Sequence, residues 1–355
     1  MCSSDLEYIV NRRPAYLEQG VRDYRLQDLR NQYLWPFKPF DRPSPIGHES
    51  HSYQNYGGTP YFHHGIDIRV PSGSEIRSST GGTVVNIENY VSGNSLYWEV
   101  AVRDDEGFLW QYHHVDRNTI PQAIHDAYKN GTRISAGAHL GNVVYWPVQA
   151  YGMNFHHIHL NVLDGHGNFI NPYLLLLRPF DLTPPRVMEI YFTRNEENKT
   201  ISADALNGEI DIIAKVEDLM DGQPYQLTVY KLEYEIRKAS GETVLPRTLL
   251  WQFDRLPGGS DINAHVHTFY KSSFSANGKQ LSTAGNYSRR EFYVVLTNHL
   301  YEKIDPRGCW NTRAKNGQNQ PVFPDGAYAV TVHATDYNSN ASAKTVTVQV
   351  KNGTR

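Results

Sequence analysis

Residues 155–162 read Phe155-His156-His157-Ile158-His159-Leu160-Asn161-Val162. Apolar residues alternate with polar ones, so the stretch predicts a strand with Ile158, Leu160 and Val162 on one face. His157 and His159 then share the other face with Asn161, their imidazoles about 6–7 Å apart along the strand. This spacing suits a site in which one imidazole holds a metal and the other works beside it. Two surface histidines on a half-exposed strand would give the same short pattern.

The composition limits the classes of protein that the chain can represent. Its 355 residues suffice for two domains or one large one, and 39% of them are hydrophobic. The net charge is −3 and no basic stripe is visible in the sequence, so we expect no nucleic-acid partner. The 24 tyrosines and 27 glycines, with many Thr and Val, favour β structure. The longest apolar run, 173–177, is too short to cross a bilayer, so no membrane span is expected.

The residues available to bind a metal are histidines and carboxylates. Only two cysteines occur, which excludes a cysteine-based zinc site. One of several histidine clusters is His63-His64-Gly65-Ile66-Asp67. A straight strand would hold His63 and Asp67 about 13 Å apart, too far to share one ion. A bend at Gly65 would close that gap, because glycine accepts backbone angles that other residues resist. A solvated loop histidine and a turn aspartate remain the alternative.

The order of predicted elements divides the chain into three parts. Residues 1–33 form a leader, partly helical, with a rough apolar stripe at Tyr24, Leu26, Leu29 and Tyr33. Residues 34–182 begin as irregular loop and continue as short strands, with one helix at 119–131. A proline-punctuated stretch at 179–185 leads into 183–355, whose strands suggest one β-sandwich with an insertion near 254–290. We expect two separable domains. The alternative is that the sandwich packs over the first domain and completes its cleft.

Three histidine motifs occur in a recognisable order. They are His-x-Gly-x-Asp at 63–67, Tyr-x-His at 112–114 and His-x-His at 157–159, with glycines at 73, 82, 137 and 141 between them and Asn171-Pro172 after them. Each motif alone is weak. Together they resemble the lysostaphin-type (beta-lytic) zinc metallopeptidases, which cut peptide cross-links in bacterial cell walls. The resemblance covers roughly residues 34–178.

The resemblance implies a fold and a set of site residues. The fold class is then all-β, an antiparallel lysostaphin-like peptidase domain followed by an immunoglobulin-like β-sandwich. His63, Asp67 and His159 correspond to the zinc ligands. His114 and His157 correspond to the catalytic histidines.

The implied chemistry follows from this ligand set. Two neutral imidazoles and one carboxylate leave zinc with net positive charge and an open fourth position. A water there has its pKa lowered to about 7. One of His114 and His157 takes a proton from that water and the other steadies the oxyanion; the sequence does not say which does which.

Five further histidines lie near these motifs. His64, His113 and His156 should point to the opposite strand faces, and we expect them to support the ligands or to be structural rather than to bind the metal. His48 and His51 lie in a loop that could line the cleft or occupy the metal in a latent form. A merely solvated loop is the simpler expectation.

The function implied is a zinc endopeptidase acting on peptidoglycan peptides. The alternatives are a non-catalytic family member that binds the cell wall or regulates another wall hydrolase, and a peptidase for other small-residue substrates. The C-terminal domain is expected to bind a cell-wall or protein ligand. No signal peptide is encoded, but residues 2–6 resemble a translated sequencing adapter. We therefore expect the true start to lie upstream and the protein to be extracytoplasmic, either periplasmic or secreted.

Overall fold

The computed structural model describes residues 32–55, 58–224, 226–257, 263, 265–298 and 308–353. The predicted leader helix lies outside these residues apart from Tyr33. The ring of Tyr33 packs against Trp110 with the ring centroids 4.8 Å apart. We call residues 32–182 the N-terminal unit and residues 183–353 the C-terminal unit.

The N-terminal unit is built from short strands around one α-helix. Its strands are β1 (Ile46–His48), β2 (Tyr53–Gln54), β3 (Tyr61–Phe62), β4 (Ile66–Arg69), β5 (Glu75–Arg77), β6 (Gly82–Asn89), β7 (Trp98–Arg103), β8 (Leu109–His113), β9 (Val115–Asp116), β10 (Arg133–Ile134), β11 (His139–Val143), β12 (Gln149–Ala150), β13 (Met153–Asn154), β14 (His157–Leu163) and β15 (Phe169–Ile170). Helix α1 spans Gln122–Asn130, and 3-10 turns lie at Arg117–Thr119 and Pro172–Leu174.

The central sheet of this unit has the strand order β1-β4-β14-β8-β7-β6-β10, with β15 added to β14. A smaller sheet has the order β5-β11-β9. The apolar residues of β14 are fully buried, as their alternation predicted: Ile158, Leu160 and Val162 are all inaccessible to solvent. The predicted helix is also confirmed, and it ends at Gly131, whose φ of 62° suits glycine.

The C-terminal unit consists of two large antiparallel sheets and a separate two-stranded one. Its strands are β16 (Arg186–Arg194), β17 (Glu209–Glu217), β18 (Lys231–Lys238), β19 (Thr243–Gln252), β20 (Ser273–Ala276), β21 (Lys279–Ser282), β22 (Ala284–Gly285), β23 (Arg290–Val295), β24 (Trp310–Asn311), β25 (Gly326–Thr335) and β26 (Ala341–Val350). A short helix, α2 (Val266–Phe269), and a 3-10 turn at Ala203–Ala205 complete it.

These two sheets face each other as a sandwich. One has the order β16-β17-β23-β22, with β24 on β17, and the other has the order β19-β18-β25-β26. Their inward side chains, such as Ile212 of β17 and Val330 of β25, share one buried core. The named strands pair antiparallel in both units, so the predicted all-β, antiparallel class is confirmed. The immunoglobulin-like character of the sandwich stays a prediction.

The two units pack against each other through apolar and polar contacts. Tyr53 and Phe62 of the N-terminal unit lie in the core of the C-terminal unit. Conversely, Leu227 and Tyr337 lie in the core of the N-terminal unit. Arg290 donates a hydrogen bond of 2.7 Å to the carbonyl of Gly47. Contacts of this kind are expected where the sandwich packs over the first unit; whether the two units are separable stays a prediction.

His51 lies at the centre of this interface. Its ring stacks on Phe253 with centroids 3.7 Å apart. Its Nε2 donates to the carbonyl of Val229 at 2.9 Å, and its Nδ1 accepts from the Tyr337 hydroxyl at 3.0 Å. Nearby, His48 Nε2 accepts a hydrogen bond from Arg290. Both histidines are fully buried and serve the contact between units. Among the described residues, no helix is long and apolar enough to span a membrane.

Candidate metal centre and catalytic cleft

Three polar residues form a row across the central sheet, one on each of three neighbouring strands. Asp67 on β4 pairs directly with His159 on β14. His159 in turn pairs with His113 on β8. Residues at paired positions of neighbouring strands project to the same face, because side chains alternate with a period of two. The row therefore lies opposite the buried apolar residues of β14.

His63 reaches this row from the segment before β4. The chain bends at Gly65 between β3 and β4, as predicted. The reason for glycine there differs from the one expected. A Cβ at Gly65 would lie 2.2 Å from the carbonyl oxygen of Leu160, so the close approach of β14 excludes any side chain. The positive φ that glycine often supplies is not used at this bend.

The three predicted ligands converge on one point. His63 Nε2 lies 3.1 Å and His159 Nδ1 lies 3.0 Å from Asp67 Oδ1. One donor atom from each of the three residues lies within 4.8 Å of the others, and all three side chains are buried. Two imidazole nitrogens and one carboxylate oxygen are a ligand set that zinc takes in catalytic sites.

The protonation of His63 also fits a cation at this point. Its Nδ1 donates to the carbonyl of Glu49 at 2.9 Å, since a carbonyl can only accept. The Nε2 of the neutral ring is therefore an acceptor that faces an Asp67 oxygen, which is another acceptor. Two acceptors in contact require a proton or a metal ion between or beside them. The hydrogen bond to Glu49 is also the type that orients a ligating histidine.

The electrostatics of the cluster keep its carboxylate ionised. Burial by itself would raise the pKa of Asp67, but His63 and His157 and the hydrogen bond from His159 outweigh it and hold the pKa well below its usual value. Burial lowers the pKa of His159, which favours the neutral ring. An ionised carboxylate and neutral imidazoles are the forms that bind metal.

His157 and His114 stand beside the three ligands in matching orientations. His157 Nδ1 donates to the Phe155 carbonyl at 2.8 Å, and His114 Nδ1 donates to the Leu96 carbonyl at 2.9 Å. The ring centroids of the two histidines are 4.8 Å apart. Because Nδ1 carries the proton in each ring, the Nε2 atoms are left as acceptors. Burial lowers the pKa of both, so both rings are neutral at pH 7.

Comparison with known proteins identifies the segment that carries this geometry. Residues 61–172 match the model of peptidase family M23. Over this segment the chain is similar to the M23 peptidases. The predicted resemblance to the lysostaphin-type peptidases is thereby confirmed. No curated protein matches the chain significantly.

Several solved structures are similar to the same part of the chain. The catalytic domain of lysostaphin from Staphylococcus simulans is 17% identical with a TM-score of 0.28, covering 36% of this chain and 89% of that one. A zinc-containing peptidase from Vibrio cholerae is 15% identical with a TM-score of 0.29, covering 41% and 40%. The catalytic domain of the prophage-encoded M23 protein EnpA from Enterococcus faecalis is 23% identical with a TM-score of 0.26, covering 37% and 94%. Likeness at this level says nothing about activity.

The orientation of His114 differs from the alternation expected along β8. Alternation places His114 with Trp110 and Tyr112, which are buried in the core. However, β8 ends at His113, and His114 has a φ of 66°, which turns its side chain towards the cleft. Only a local left-handed backbone brings His113 and His114 to the same site, and no periodic pattern reveals such a residue.

The expectation that His64 and His113 point away from the site is wrong, because both line the cleft. The ring centroids of His64 and His113 lie 4.9 Å and 5.3 Å from that of His159. His113 is held by Asn161, whose Nδ2 donates to its Nε2 at 3.0 Å, and Glu99 lies 3.5 Å from its Nδ1. Sequence reasoning did not anticipate this approach of Glu99. His156 does face elsewhere, accepting from the backbone of Trp146.

The cleft has a volume of about 350 Å³. Besides the histidines and Asp67 it is lined by Gln54, Tyr61, Tyr90, Tyr97, Trp146, Val148 and Tyr287. Tyr287 belongs to the C-terminal unit. The sequence did not indicate these five aromatic residues, since they are spread along the chain from Tyr61 to Tyr287. The C-terminal unit thus contributes directly to the wall of the cleft.

Proposed function

We propose that this protein is a zinc-dependent endopeptidase that hydrolyses the peptide cross-links of bacterial peptidoglycan. One observation carries the proposal. The three residues His63, Asp67 and His159 converge on a point, while His114 and His157 present Nε2 acceptors to the same cleft. Catalysis of hydrolysis requires both a metal-binding set and proton-transfer groups that do not bind the metal.

His63, Asp67 and His159 would hold the zinc ion. Zinc, when bound, supplies a Lewis acid that polarises a carbonyl and lowers the pKa of water. The protein supplies the remaining functions. His114 and His157 have their Nδ1 protons fixed on backbone carbonyls, so each ring is held in one tautomer and one orientation. A neutral Nε2 accepts a proton, and the same atom once protonated donates to a developing oxyanion or to the leaving amine.

The shape of the cleft supports a peptide substrate with small side chains. Its walls carry the rings of Tyr61, Tyr90, Tyr97 and Trp146, and the ring of Tyr287 joins them from the C-terminal unit. Such rings offer flat apolar contact and hydroxyl groups to a backbone that passes between them. The site of action is then extracytoplasmic, where peptidoglycan lies. The C-terminal unit would also bring the enzyme to its polymer through a cell-wall or protein ligand.

The experiment that tests the proposal measures zinc content and hydrolysis of purified peptidoglycan on the same preparation. We expect about one zinc per chain and release of new amino groups from the peptide cross-links. Zinc without hydrolysis would favour the non-catalytic alternative, a wall-binding or regulatory family member. Hydrolysis of glycine-rich peptides but not of peptidoglycan would show that the substrate is another peptide with small residues. Absence of zinc in the folded protein, even after incubation with the metal, would overturn the proposed metal centre.

A further inference from the structure

A second cluster of acidic side chains lies at the junction of the two units. Asp181 comes from the proline-rich connection, Asp218 follows β17 and Asp336 follows β25. One carboxylate oxygen from each lies within 4.8 Å of the others. All three residues are buried, with 4%, 1% and 3% of their surface exposed. Three carboxylates at this distance and depth repel one another strongly unless a positive charge is present.

A fourth carboxylate points into the same place. Glu49 is fully buried and lines a small cavity together with Asp181, Asp218 and Asp336. Neither of its carboxylate oxygens has a hydrogen-bond partner within the described part of the chain, and the same is true of Asp218 Oδ1. A buried carboxylate without partners is costly, since water no longer solvates it. The unpartnered oxygens therefore indicate a ligand that the protein alone does not supply.

Within the described residues, positive charge does not balance this cluster. Arg178 also lines the cavity, and its single charge offsets at most one of the four carboxylates. Arg290, the next cation, directs its guanidinium to the Gly47 carbonyl and to His48. Consistent with this imbalance, burial and the neighbouring Asp336 and Asp181 raise the pKa of Asp218 to about 8.

Two of the carboxylates are held in place by their own loops. Asp181 Oδ1 accepts from the backbone amides of Thr183 and Asp221, both at 3.0 Å. Asp336 accepts from the backbone and side-chain nitrogens of Asn340 at 2.8 Å and 2.7 Å. These bonds fix the two carboxylates beside the cavity that they line. The cluster is thus built before any ligand arrives.

We propose that Asp181, Asp218, Asp336 and Glu49 bind one calcium ion at the junction of the two units. All the candidate ligand atoms are oxygens, which hard cations such as calcium prefer. Zinc sites usually include nitrogen or sulfur ligands as well. Calcium accepts six to eight oxygen ligands in irregular geometry, whereas magnesium demands an octahedron and retains several waters. Four buried carboxylates from separate segments fit the irregular coordination of calcium better than the octahedron of magnesium.

The position of the calcium site connects it to the zinc centre. Its ligands come from the connection, from both sheets of the sandwich and from the loop between β1 and β2. Glu49 belongs to that loop, and its backbone carbonyl accepts the Nδ1–H of the proposed zinc ligand His63 at 2.9 Å. Calcium would therefore hold the two units together and, through Glu49, fix the loop that orients His63. Its primary effect is on stability, so it can be tested without hydrolytic activity.

The test uses the full chain freed of metals and returned to buffer without chelator. Calcium chloride alone should give a saturable binding heat of one equivalent by calorimetry. It should also raise the Tm by about 5 °C at a hundredfold excess over the dissociation constant. Magnesium chloride at the same concentration should give a smaller shift. No saturable heat and an unchanged Tm at millimolar calcium would overturn the proposal, and an equal or larger effect of magnesium would overturn the choice of ion.

Two variants separate this site from the zinc centre and from a purely structural role. Asp218→Asn should lose the calcium response but keep zinc, and His159→Ala should lose zinc but keep the calcium response. Without any metal, Asp218→Asn should be at least as stable as the unaltered protein, because a neutral amide needs no counter-charge in the buried cluster. The exposed Asp105→Asn is the control and should retain the full calcium response. A calcium response that survives in Asp218→Asn would show that the ion binds elsewhere.

Discussion

Asp67 and His159 are 92 residues apart in the sequence and face each other across adjacent antiparallel strands, with His159 Nδ1 3.0 Å from Asp67 Oδ1. The sheet register alone sets this contact, because both side chains project from paired positions of β4 and β14. His63 is different, since it arrives from a bend outside the sheet. The proposed zinc site thus joins two ligands fixed by a rigid scaffold to one whose position depends on Gly65 and on Glu49.

Replacing His159 should remove the proposed zinc. His159→Ala leaves one imidazole and one carboxylate, too few protein ligands for a stable site. We expect metal analysis after mild chelation to find well under one equivalent of zinc. His166→Ala removes an exposed histidine from a turn and serves as the control, which should retain the metal. A His159→Ala protein that keeps a full equivalent would exclude His159 as a ligand.

Replacing either proposed catalytic histidine should separate zinc binding from activity. His114→Ala and His157→Ala leave the three ligands intact, so zinc content should stay near one equivalent. Hydrolysis should fall by about 10²–10⁴-fold, the usual contribution of a general acid or base. Turnover is measured on a soluble peptide, with zinc determined on the same samples. Near-normal turnover in either variant would remove that residue from the mechanism.

The sequence predicted the strands whose side chains alternate without interruption. β14 is of this kind: its apolar residues Ile158, Leu160 and Val162 lie in the core, while His157 and His159 between them line the cleft. β16 was not predicted, because a bulge between Val187 and Glu189 shifts its register and breaks the alternation. The sequence also did not decide whether the two units pack against each other. It depends on residues such as Phe62 and Tyr337, which look like ordinary core residues of their own segments.

The sequence predicted those residues of the candidate site that belong to the three histidine motifs. The resemblance placed His63, Asp67, His114, His157 and His159, and the structure brings all five together. Alternation alone would have turned His114 into the core, since the left-handed backbone at that residue leaves no trace in the residue pattern. The aromatic wall and the approach of Glu99 to His113 are tertiary contacts between distant strands. Without an alignment or a structure, nothing in one sequence distinguishes them from other tyrosines and glutamates.

A methyl group at Gly65 should disrupt the site, although Gly65 is not itself a proposed ligand. The new Cβ would lie 2.2 Å from the Leu160 carbonyl, so β4 and β14 must separate. We expect Gly65→Ala to lower the free energy of unfolding by roughly 1–3 kcal/mol, the typical cost of overpacking. Weaker zinc binding should accompany it. Gly165→Ala, where no atom lies within 4 Å of the added Cβ, is the matched control. Equal stability of the two variants would contradict the proposed close approach.

Tyr287 tests whether the C-terminal unit takes part in substrate binding. Its ring lies 5.0 Å from that of Phe155 and lines the cleft. Tyr287→Ala should lower kcat/KM on a soluble peptide by roughly tenfold, chiefly through KM, because one apolar wall is lost. Zinc content should not change. Tyr145→Ala removes a ring that is 66% exposed and lies outside the cleft, so its kinetics should stay normal. Unaltered KM in Tyr287→Ala would place the substrate elsewhere.

Truncation after residue 182 tests whether the two units are separable. Residues 34–182 alone would expose Tyr53 and Phe62, which are 4% and 0% exposed in the full chain. Burial of each such side chain stabilises the folded protein by roughly 1.5–3 kcal/mol. His51 would also lose its partners Val229 and Tyr337. We therefore expect the fragment to be insoluble, or inactive on a soluble peptide that the full chain cuts.

Arg290→Met in the full chain is the milder version of the same test. It removes the hydrogen bonds to the Gly47 carbonyl and to His48 while the apolar contacts between the units remain. Two buried acceptors would then lack a partner, at a cost of about 1–3 kcal/mol each. The Tm should fall, with zinc content preserved at temperatures below the transition. Arg133→Met breaks only an exposed ion pair with Asp105 and should leave the Tm nearly unchanged. If Arg290→Met is as stable as Arg133→Met and the fragment 34–182 is active, the C-terminal unit is a separate module and its contact with the cleft is not needed for catalysis.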